Sequence, residues 1–307
     1  MKMITLNHIC KTYGKEKKIA VNDISLSVNK GEIFGLIGPD GAGKSSIFRI
    51  LTTLLLADSG TATVDGHDVV TDYKHIRKSV GYMPGKFSLY PDLSVEENLK
   101  FFATLFNTSI RENYHLIKDI YMLLEPFKNR RAGKLSGGMK QKLALCCALI
   151  HKPTVLFLDE PTTGIDPVSR KEFWEMLKRL KKQEITILVS TPYMDEASLC
   201  DRIALIKNGK ILSINTPDHI IKDYPDNLYK IKSDVIYTLL KDINLHSNTQ
   251  SCFTFGEFLH VSFLSDTESM QQELLNYLSK KGHLNIVMEK TVPGIEDCFI
   301  HLLKKPA

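Results

Sequence analysis

The chain has 307 residues, of which 43% are hydrophobic and 24% charged, and a formal net charge of +5. These values are ordinary for a globular protein of roughly two domains, and so mild a charge does not by itself indicate a nucleic-acid ligand. No apolar stretch approaches the roughly 18 residues of a membrane-spanning helix, so any such helix would have to come from another chain. The six cysteines are scattered and form no C-x-x-C pair, which favours a reducing compartment.

The amino-terminal segment predicts strands around a glycine-rich loop. Residues 1–7 alternate like a strand and lack the apolar core of a signal peptide. The apolar run 33–37 predicts a buried strand, and residues 45–56 predict a helix. Between them the sequence fits the pattern G-x-x-x-x-G-K-[ST]. The motif consists of Gly38, Pro39, Asp40, Gly41, Ala42, Gly43, Lys44 and Ser45, and Ser46 follows it.

This loop has the composition of a phosphate-binding site. Gly41 and Gly43 lack a Cβ, which lets the backbone fold tightly and point its N–H groups at a polyphosphate. Lys44 places a cation on the β- and γ-phosphates, and the Ser45 hydroxyl is suited to coordinate Mg²⁺. Because the loop leads into a helix, the phosphates would lie where unpaired N–H groups and the helix dipole favour negative charge. The sequence therefore predicts a nucleotide-binding protein.

Residues from about 86 to 150 are predicted to be mainly helical. Ser94 and Glu97 have the spacing of a capping box, at the start of a helix that runs to about Phe106. Residues 114–124 carry apolar side chains at helical spacing. This segment interrupts an alternation of strands and helices that resumes after residue 150.

A second glycine motif, LSGGM at residues 135–139, begins a later helix of this segment. Ser136 is suited to cap that helix, and Gly137 and Gly138 permit close approach to an anion. The motif therefore adds a second candidate anion contact.

An acidic pair closes a buried strand. Residues 155–158 form an uninterrupted apolar run, as in the centre of a parallel sheet that is buried on both faces. The run ends in Asp159 and Glu160. Side chains at the carboxyl end of such a strand lie at the usual ligand-binding edge of an open α/β sheet.

Taken in order, these motifs resemble those of ATP-binding-cassette (ABC) ATPases over about residues 1–215. LSGGM resembles the LSGGQ signature, with Met139 in place of Gln, and the acidic pair resembles the Walker B motif. The resemblance implies that Asp159 holds Mg²⁺ and that Glu160 polarises the attacking water. It also implies that Tyr13, ahead of the first motif, stacks on adenine.

In that family the signature serves the nucleotide of the opposite subunit. The resemblance therefore implies that Ser136, Gly137 and Gly138 close over a γ-phosphate bound to a dimer partner. Residues 163–167 resemble the loop that crosses the dimer interface. Residues 86–90 lie where the family receives the cytoplasmic helix of a permease, and exposed aromatic side chains there would suit that contact.

Two positions depart from the family pattern. The family carries a Gln after a strand, where this chain has Gly85, and a His after a later strand, where it has Pro192. A Gln offers a carbonyl to Mg²⁺ and an amide to water, whereas Gly offers neither. A His offers a donor to the γ-phosphate, whereas Pro lacks even a backbone N–H. We expect ATP binding to be retained and hydrolysis to be slow.

Residues 216–307 predict a separate, small α+β domain. The predicted order β-α-β-β-α-β suggests a ferredoxin-like unit. Its ending, residues 293–302, resembles the tail of ATPase subunits of multidrug-type (ABC-2) exporters. The predicted strands are 228–232, 251–255, 258–263 and 284–290, and the predicted helices are 233–242 and 267–281.

The predicted fold is α/β, a P-loop ABC ATPase core over residues 1–215 with a helical insertion at about 86–150, plus the accessory domain 216–307. The resemblance implies a subunit that binds ATP and Mg²⁺, hydrolyses ATP, forms a homodimer or a heterodimer, and powers a separate membrane permease, most like an exporter. Such a subunit would be cytoplasmic and peripheral on the inner face of the cell membrane, and no nucleic-acid partner is expected.

Two alternatives remain open. The first is a nucleotide-gated subunit that binds ATP with little hydrolysis, which Gly85 and Pro192 favour. The second is a soluble ABC ATPase that acts on ribosomes or DNA. The chain has one cassette and neither a long coiled-coil arm nor a basic tail, which disfavours the second alternative.

Overall fold

The computed structural model describes residues 1–304, and the chain divides into two compact units, Met1–Pro217 and Asp218–Ala307. Each unit has its own hydrophobic core. Among the residues described, no helix combines the length and the apolar composition needed to cross a bilayer.

The first unit contains ten strands and six α-helices within the described residues. The strands are β1 Lys2–Tyr13, β2 Lys18–Asn29, β3 Ile33–Ile37, β4 Ser59–Val64, β5 His67–Asp68, β6 Val80–Met83, β7 Val155–Asp159, β8 Thr186–Thr191, β9 Arg202–Lys207 and β10 Lys210–Asn215. The helices are α1 Lys44–Leu51, α2 Tyr73–Ser79, α3 Val95–Leu105, α4 Tyr114–Tyr121, α5 Gly137–Leu149 and α6 Pro167–Lys182. Short 3₁₀ helices lie at Glu125–Phe127, Ala132–Lys134 and Met194–Leu199.

Two sheets organise this unit. One is antiparallel, in the order β2-β1-β4-β5, and the other has the order β10-β9-β3-β8-β7-β6. In the second sheet, all strands but the edge strand β10 run parallel. Every residue of β3, β7 and β8 is buried, as expected of parallel strands covered on both faces. The carboxyl ends of these three strands therefore meet at one edge of the sheet.

Helix α1 joins this edge to the core. Its residues Ile47 and Phe48 belong to a buried cluster that also contains Leu6 of β1 and Phe157 of β7. The rings of Phe48 and Phe157 meet edge to face, with centroids 6.1 Å apart. This packing fixes the start of α1 beside the carboxyl end of β7.

The predicted helix over residues 45–56 is shorter than expected. Helix α1 ends at Leu51, and Thr53 has a φ of 63°, in the left-handed region that a helix cannot continue through. Leu54 and Leu56 are exposed. Because both residues are apolar and continue the helical spacing, the sequence predicted a longer helix, although neither side chain packs in the core.

The capping box predicted for α3 is confirmed. The Ser94 backbone N–H donates to Glu97 Oε2 at 2.7 Å, and the Glu97 N–H donates to Ser94 Oγ at 3.2 Å. The fully buried Asn98 accepts from the backbone N–H of Tyr90 and donates to its carbonyl, both at 3.0 Å. These bonds anchor the loop that follows β6.

The second unit contains one antiparallel sheet, in the order β12-β13-β11-β14. Its strands are β11 Leu228–Lys232, β12 Thr249–Phe255, β13 Phe258–Phe263 and β14 Val287–Thr291, and its helices are α7 Pro217–Lys222, α8 Ile236–Leu245, α9 Glu268–Lys280 and α10 Ile295–Lys304. Helix α8 begins three residues later than predicted, and β14 covers 287–291 rather than 284–290. One face of the sheet packs against Leu239 and Ile243 of α8 and Leu274 and Leu278 of α9.

Candidate active site

The phosphate loop connects β3 to α1 through backbone that favours glycine. Gly41 and Gly43 have φ values of 78° and 104°, in the left-handed region. A Cβ on Gly43 would lie 2.2 Å from the carbonyl oxygen of Ala20, and one on Gly38 would lie 2.1 Å from that of Ile206. The loop is therefore folded tightly against β2 and β9 and turns directly into the N-terminus of α1, where an anion is favoured.

Lys44, the first residue of α1, is only 3% exposed. Its ammonium donates to the carbonyl oxygens of Gly38 at 2.8 Å and Pro39 at 3.1 Å. It also forms an ion pair with Glu160, whose Oε1 is 3.0 Å from Nζ. The cation of the loop is thus held between its own backbone and the carboxylate after β7.

The acidic pair is fixed by a residue that the sequence analysis missed. Ser190 Oγ donates to Asp159 Oδ1 at 2.6 Å, and the Glu160 backbone N–H donates to Ser190 Oγ at 3.0 Å. Glu160 adopts a φ of 52°, a left-handed conformation that costs a non-glycine residue on the order of 1 kcal/mol or more and is characteristic of functional sites. The only sequence signal for Ser190 was a polar residue within the apolar strand β8.

The remaining loop residues surround this arrangement. The Tyr13 hydroxyl lies 3.1 Å from Ser46 Oγ, which brings the predicted adenine-stacking side chain to the start of α1. Ser45, next to Lys44 on that helix, is half-buried, whereas Asp40 is exposed and Ala42 is buried. Tyr13 itself remains exposed enough to contact a ligand.

The signature segment lies at the start of α5. Ser136 caps the helix, as predicted, by accepting from the Met139 N–H at 3.3 Å. A Cβ on Gly138 would lie 2.7 Å from Ser169 Oγ. Within residues 1–304, no hydrogen bond or ion pair joins Ser136, Gly137 or Gly138 to the phosphate loop.

Gly85 lies against the acidic pair. A Cβ at this position would be 3.1 Å from the Asp159 carbonyl oxygen and 3.8 Å from Glu160 Cβ. The backbone of Gly85 is not in the left-handed region, so side chains are conformationally allowed there. Position 85 is thus next to the candidate reacting centre although its residue supplies no functional group.

Pro192 follows β8 beside a buried carboxylate. Thr191 Oγ1 donates to Glu196 Oε2 at 2.5 Å, and Thr162 Oγ1 donates to the same oxygen at 3.1 Å. The Tyr193 backbone N–H donates to Thr191 Oγ1. This network holds the turn after β8 while leaving position 192 without a side-chain donor.

A tight glycine loop before a helix, a buried lysine and strand-end acids define a P-loop nucleotide-binding protein of the α/β class. The family profile "ABC transporter" matches residues 21–163. The Nod factor export ATP-binding protein I of Burkholderia lata is 35% identical over 307 residues, covering 97% of this chain and 96% of that protein.

Other relatives match a smaller part of the chain. The probable multidrug ABC transporter ATP-binding protein YbhF of Escherichia coli is 43% identical over 217 residues, which cover 70% of this chain and 38% of YbhF. The dimeric ATP-binding cassette MJ0796, solved in a post-hydrolysis state with ADP and Pi, has a TM-score of 0.64 at 26% identity and covers 70% of this chain and 98% of that one. The chain belongs to the ABC transporter ATPase family.

Proposed function

We propose that the chain hydrolyses ATP at the edge formed by β3, β7 and β8 and that this reaction powers a separate membrane permease for export. The observation that carries the proposal is the convergence of Lys44, Asp159 and Glu160 at this edge, held by Ser190. The export direction rests on the names of relatives, among them a Nod factor export protein and a multidrug transporter protein.

The ion pair between Lys44 and Glu160 gives the proposed site a defined starting state. When ATP enters, its phosphates compete with Glu160 for the buried ammonium, because a polyphosphate carries more charge than a single carboxylate and also binds the loop N–H groups. Glu160 is then released toward the space occupied by the attacking water. ATP binding thereby frees the group that polarises the nucleophile.

The residues present fit a Mg²⁺ ion. Within the described chain, Asp159 accepts its side-chain hydrogen bond through Oδ1, which leaves Oδ2 for a metal or a metal-bound water. Ser45 supplies a hydroxyl one residue after Lys44, and hard oxygen ligands are those that Mg²⁺ prefers. When bound there, the ion would neutralise charge that develops on the transferred phosphoryl group.

The signature residues require a second subunit under this proposal. Ser136 caps α5, and Gly137 and Gly138 begin it. Within the described residues no hydrogen bond or ion pair joins these three residues to the phosphate loop of their own chain, so we assign them to the γ-phosphate of a dimer partner. The relative MJ0796 has been solved as a dimer. Both a homodimer and a heterodimer with another ATPase subunit fit this arrangement.

A cavity beside Gly85 is the proposed permease contact. It has a volume of about 300 Å³ and lies between the loop after β6 and helices α3 and α5, with Met83, Phe87, Phe102 and Phe106 among its lining residues. Phe87 and Tyr90 are 38% and 48% exposed, whereas Leu89, expected at the same surface, is buried. Such an apolar groove suits the amphipathic helix of a permease, whose binding would place this subunit on the inner face of the membrane.

We propose that the second unit is an accessory domain of ferredoxin-like type. Its element order β-α-β-β-α-β and its antiparallel strand order β12-β13-β11-β14 support this assignment. The phosphate loop, signature and acidic pair all lie in the first unit, so the accessory domain is not needed for nucleotide chemistry.

Co-purification from membranes tests the transport proposal. A tagged chain should recover one multi-span membrane protein, and Phe87→Ala should recover less of it. Tyr237→Ala, an exposed aromatic of the second unit, is the control and should recover as much as the wild type. Recovery of ribosomes or DNA instead of a membrane protein would favour the soluble alternative, and equal losses for both variants would contradict the proposed contact surface.

The ATPase activity of the assembled complex distinguishes an ATP-hydrolysing transport subunit from a nucleotide-gated subunit with little hydrolysis. Phosphate release should rise when the permease is present, because closure of the dimer is coupled to transport. A complex that binds ATP and assembles but releases no phosphate would favour the nucleotide-gated subunit.

A further inference from the structure

The sheet of the second unit has a second face with an unusual lining. Tyr229, Val261 and Phe263 point toward the core formed with α8 and α9, and the alternate positions Ser262 and His260 therefore lie on the opposite face. Ser262 is almost fully buried, although it is polar. A polar row on a covered sheet face is unfavourable unless its groups are satisfied or serve a ligand.

A cavity of about 230 Å³ lies at this face. Strands β11, β12 and β13 form one wall, and α10 with the segment before β11 forms the others. Among its lining residues are Tyr224, Asp226, Phe253, His260, Ile300 and His301. Its size suits one aromatic ring with a short substituent rather than a drug-sized molecule.

Some polar groups of the cavity are satisfied within the protein. Asp297, only 5% exposed, pairs with His260 Nδ1 at 2.8 Å and accepts from the Gly294 N–H at 2.8 Å. Ser251 Oγ and Ser262 Oγ are 2.6 Å apart across β12 and β13. These pairs fix the cavity wall, and their polar groups already have hydrogen-bond partners, so a ligand is not needed to satisfy them.

Two other groups have no such partner. The Asp226 carboxylate accepts no hydrogen bond within the described residues, and His301 Nδ1 lies 3.9 Å from its Oδ2, beyond hydrogen-bond distance. On the same imidazole, Nε2 is buried and has no hydrogen-bond partner. A buried nitrogen without a partner is costly, and the carboxylate beside it keeps acceptor capacity for a ligand that donates a hydrogen bond.

The remaining walls favour an organic cation. Phe253 and the ring of Tyr224 present aromatic surface to the cavity, and Lys304 already lies over Phe253, with its Nζ 4.8 Å from the ring centroid. Burial, together with the nearby charges of Asp297 and Asp226, raises the pKa of Tyr224 to about 12. Aromatic faces and a carboxylate together form the usual environment for an ammonium or amidinium group.

We propose that this cavity binds a small organic cation with a flat aromatic body, whose nitrogen donates to Asp226 while its ring lies against Phe253 and Tyr224. The site is separate from the nucleotide site and would let the accessory domain sense such a compound. Lys304, the ammonium already at the cavity, moves off the Phe253 ring when the ligand enters.

Benzamidine and 2-phenylethylamine are suitable probes, with benzamide and benzoate as neutral and anionic controls. Saturation-transfer NMR on the full chain should detect saturable binding of both cations, with dissociation constants of about 1 mM or lower. Benzamide and benzoate should bind at least about tenfold more weakly, because neither supplies a charge-assisted donor to Asp226.

The variants test the residue assignments. Asp226→Asn should weaken both cations at least about tenfold, whereas Glu257→Gln, which removes an exposed carboxylate of the same unit outside the cavity, should change nothing. Phe253→Leu keeps an apolar wall and should weaken binding of the cations about threefold. This variant replaces Asp226→Asn as the test if Asp226→Asn lowers the melting temperature of the protein. The proposal would be overturned if benzoate bound as tightly as benzamidine, or if neither cation showed saturable binding. It would also be overturned if the cations bound wild type and both cavity variants with equal affinity.

Discussion

Restoring the two missing side chains should accelerate ATP hydrolysis. Gly85→Gln places an amide beside Asp159 and Glu160, and Pro192→His places an imidazole at the end of β8. Removal of one preorganised contact to a transition state typically costs about 2–4 kcal/mol. Two such contacts acting on one reacting centre should therefore raise the turnover of the double variant well above that of either single variant.

The structure limits the size of the gain at position 85. The new Cβ would lie 3.1 Å from the Asp159 carbonyl oxygen, so that carbonyl must move by a few tenths of an ångström. Overpacking of this kind costs about 1–3 kcal/mol, and part of the strain falls on Asp159 itself. We therefore expect the double variant to exceed the wild type by about tenfold rather than by the full factor that two contacts of about 2–4 kcal/mol would supply.

Gly85→Ala separates the two effects, because it adds the same Cβ contact without the amide. Phosphate release at saturating MgATP should rise for Gly85→Gln and not for Gly85→Ala, while both variants lose similar thermal stability. A Gln variant no faster than the Ala variant would refute the reasoning. So would a wild-type turnover of about 1 per second or more, typical of unimpaired enzymes, since no missing contact would then need to be restored.

Three further changes probe the same site and its domain. Glu160→Gln should keep ATP binding, stop most hydrolysis and prolong the ATP-bound dimer, which size-exclusion chromatography with MgATP would detect; a variant no more dimeric than wild type would argue that Glu160 does not limit hydrolysis. Ser190→Ala should lose the hydrogen bond to Asp159, worth about 1–3 kcal/mol, and require more Mg²⁺ for half-maximal activity, whereas the exposed Ser198→Ala should not; equal Mg²⁺ dependence would contradict the positioning role of Ser190. A chain ending at residue 217 should fold and bind ATP, and a product that is insoluble or does not bind nucleotide would make the second unit part of the ATPase core.

The sequence was most informative where a function needs fixed local geometry. The glycine pattern before Lys44, the apolar run before Asp159 and the Ser94 capping box each depend on residues close together in the chain, and their predicted elements occur in the structure. Local pattern was misleading at Leu54 and Leu56, because exposed leucines at helical spacing look the same as core leucines until the sheet is in place.

Contacts between distant segments could not be obtained from periodicity. The bond from Ser190 to Asp159 joins strands β8 and β7 across 31 positions of the chain, and it depends on their parallel register. The ion pair between Lys44 and Glu160 likewise requires β3 and β7 to end at the same edge of the sheet. The cavity of the second unit depends on how α10 covers a sheet face whose polar residues gave no motif.

The most direct test of the nucleotide site is MgATP binding to Lys44→Ala by isothermal titration calorimetry. We expect a loss of at least about tenfold in affinity, because a buried cation with charge-assisted contacts to the β- and γ-phosphates is removed. Lys30→Ala, a change at an exposed lysine paired with Glu184, should bind as the wild type does. An affinity of Lys44→Ala within about twofold of the wild type, in a variant with an unchanged melting curve, would contradict the assignment of the phosphate loop.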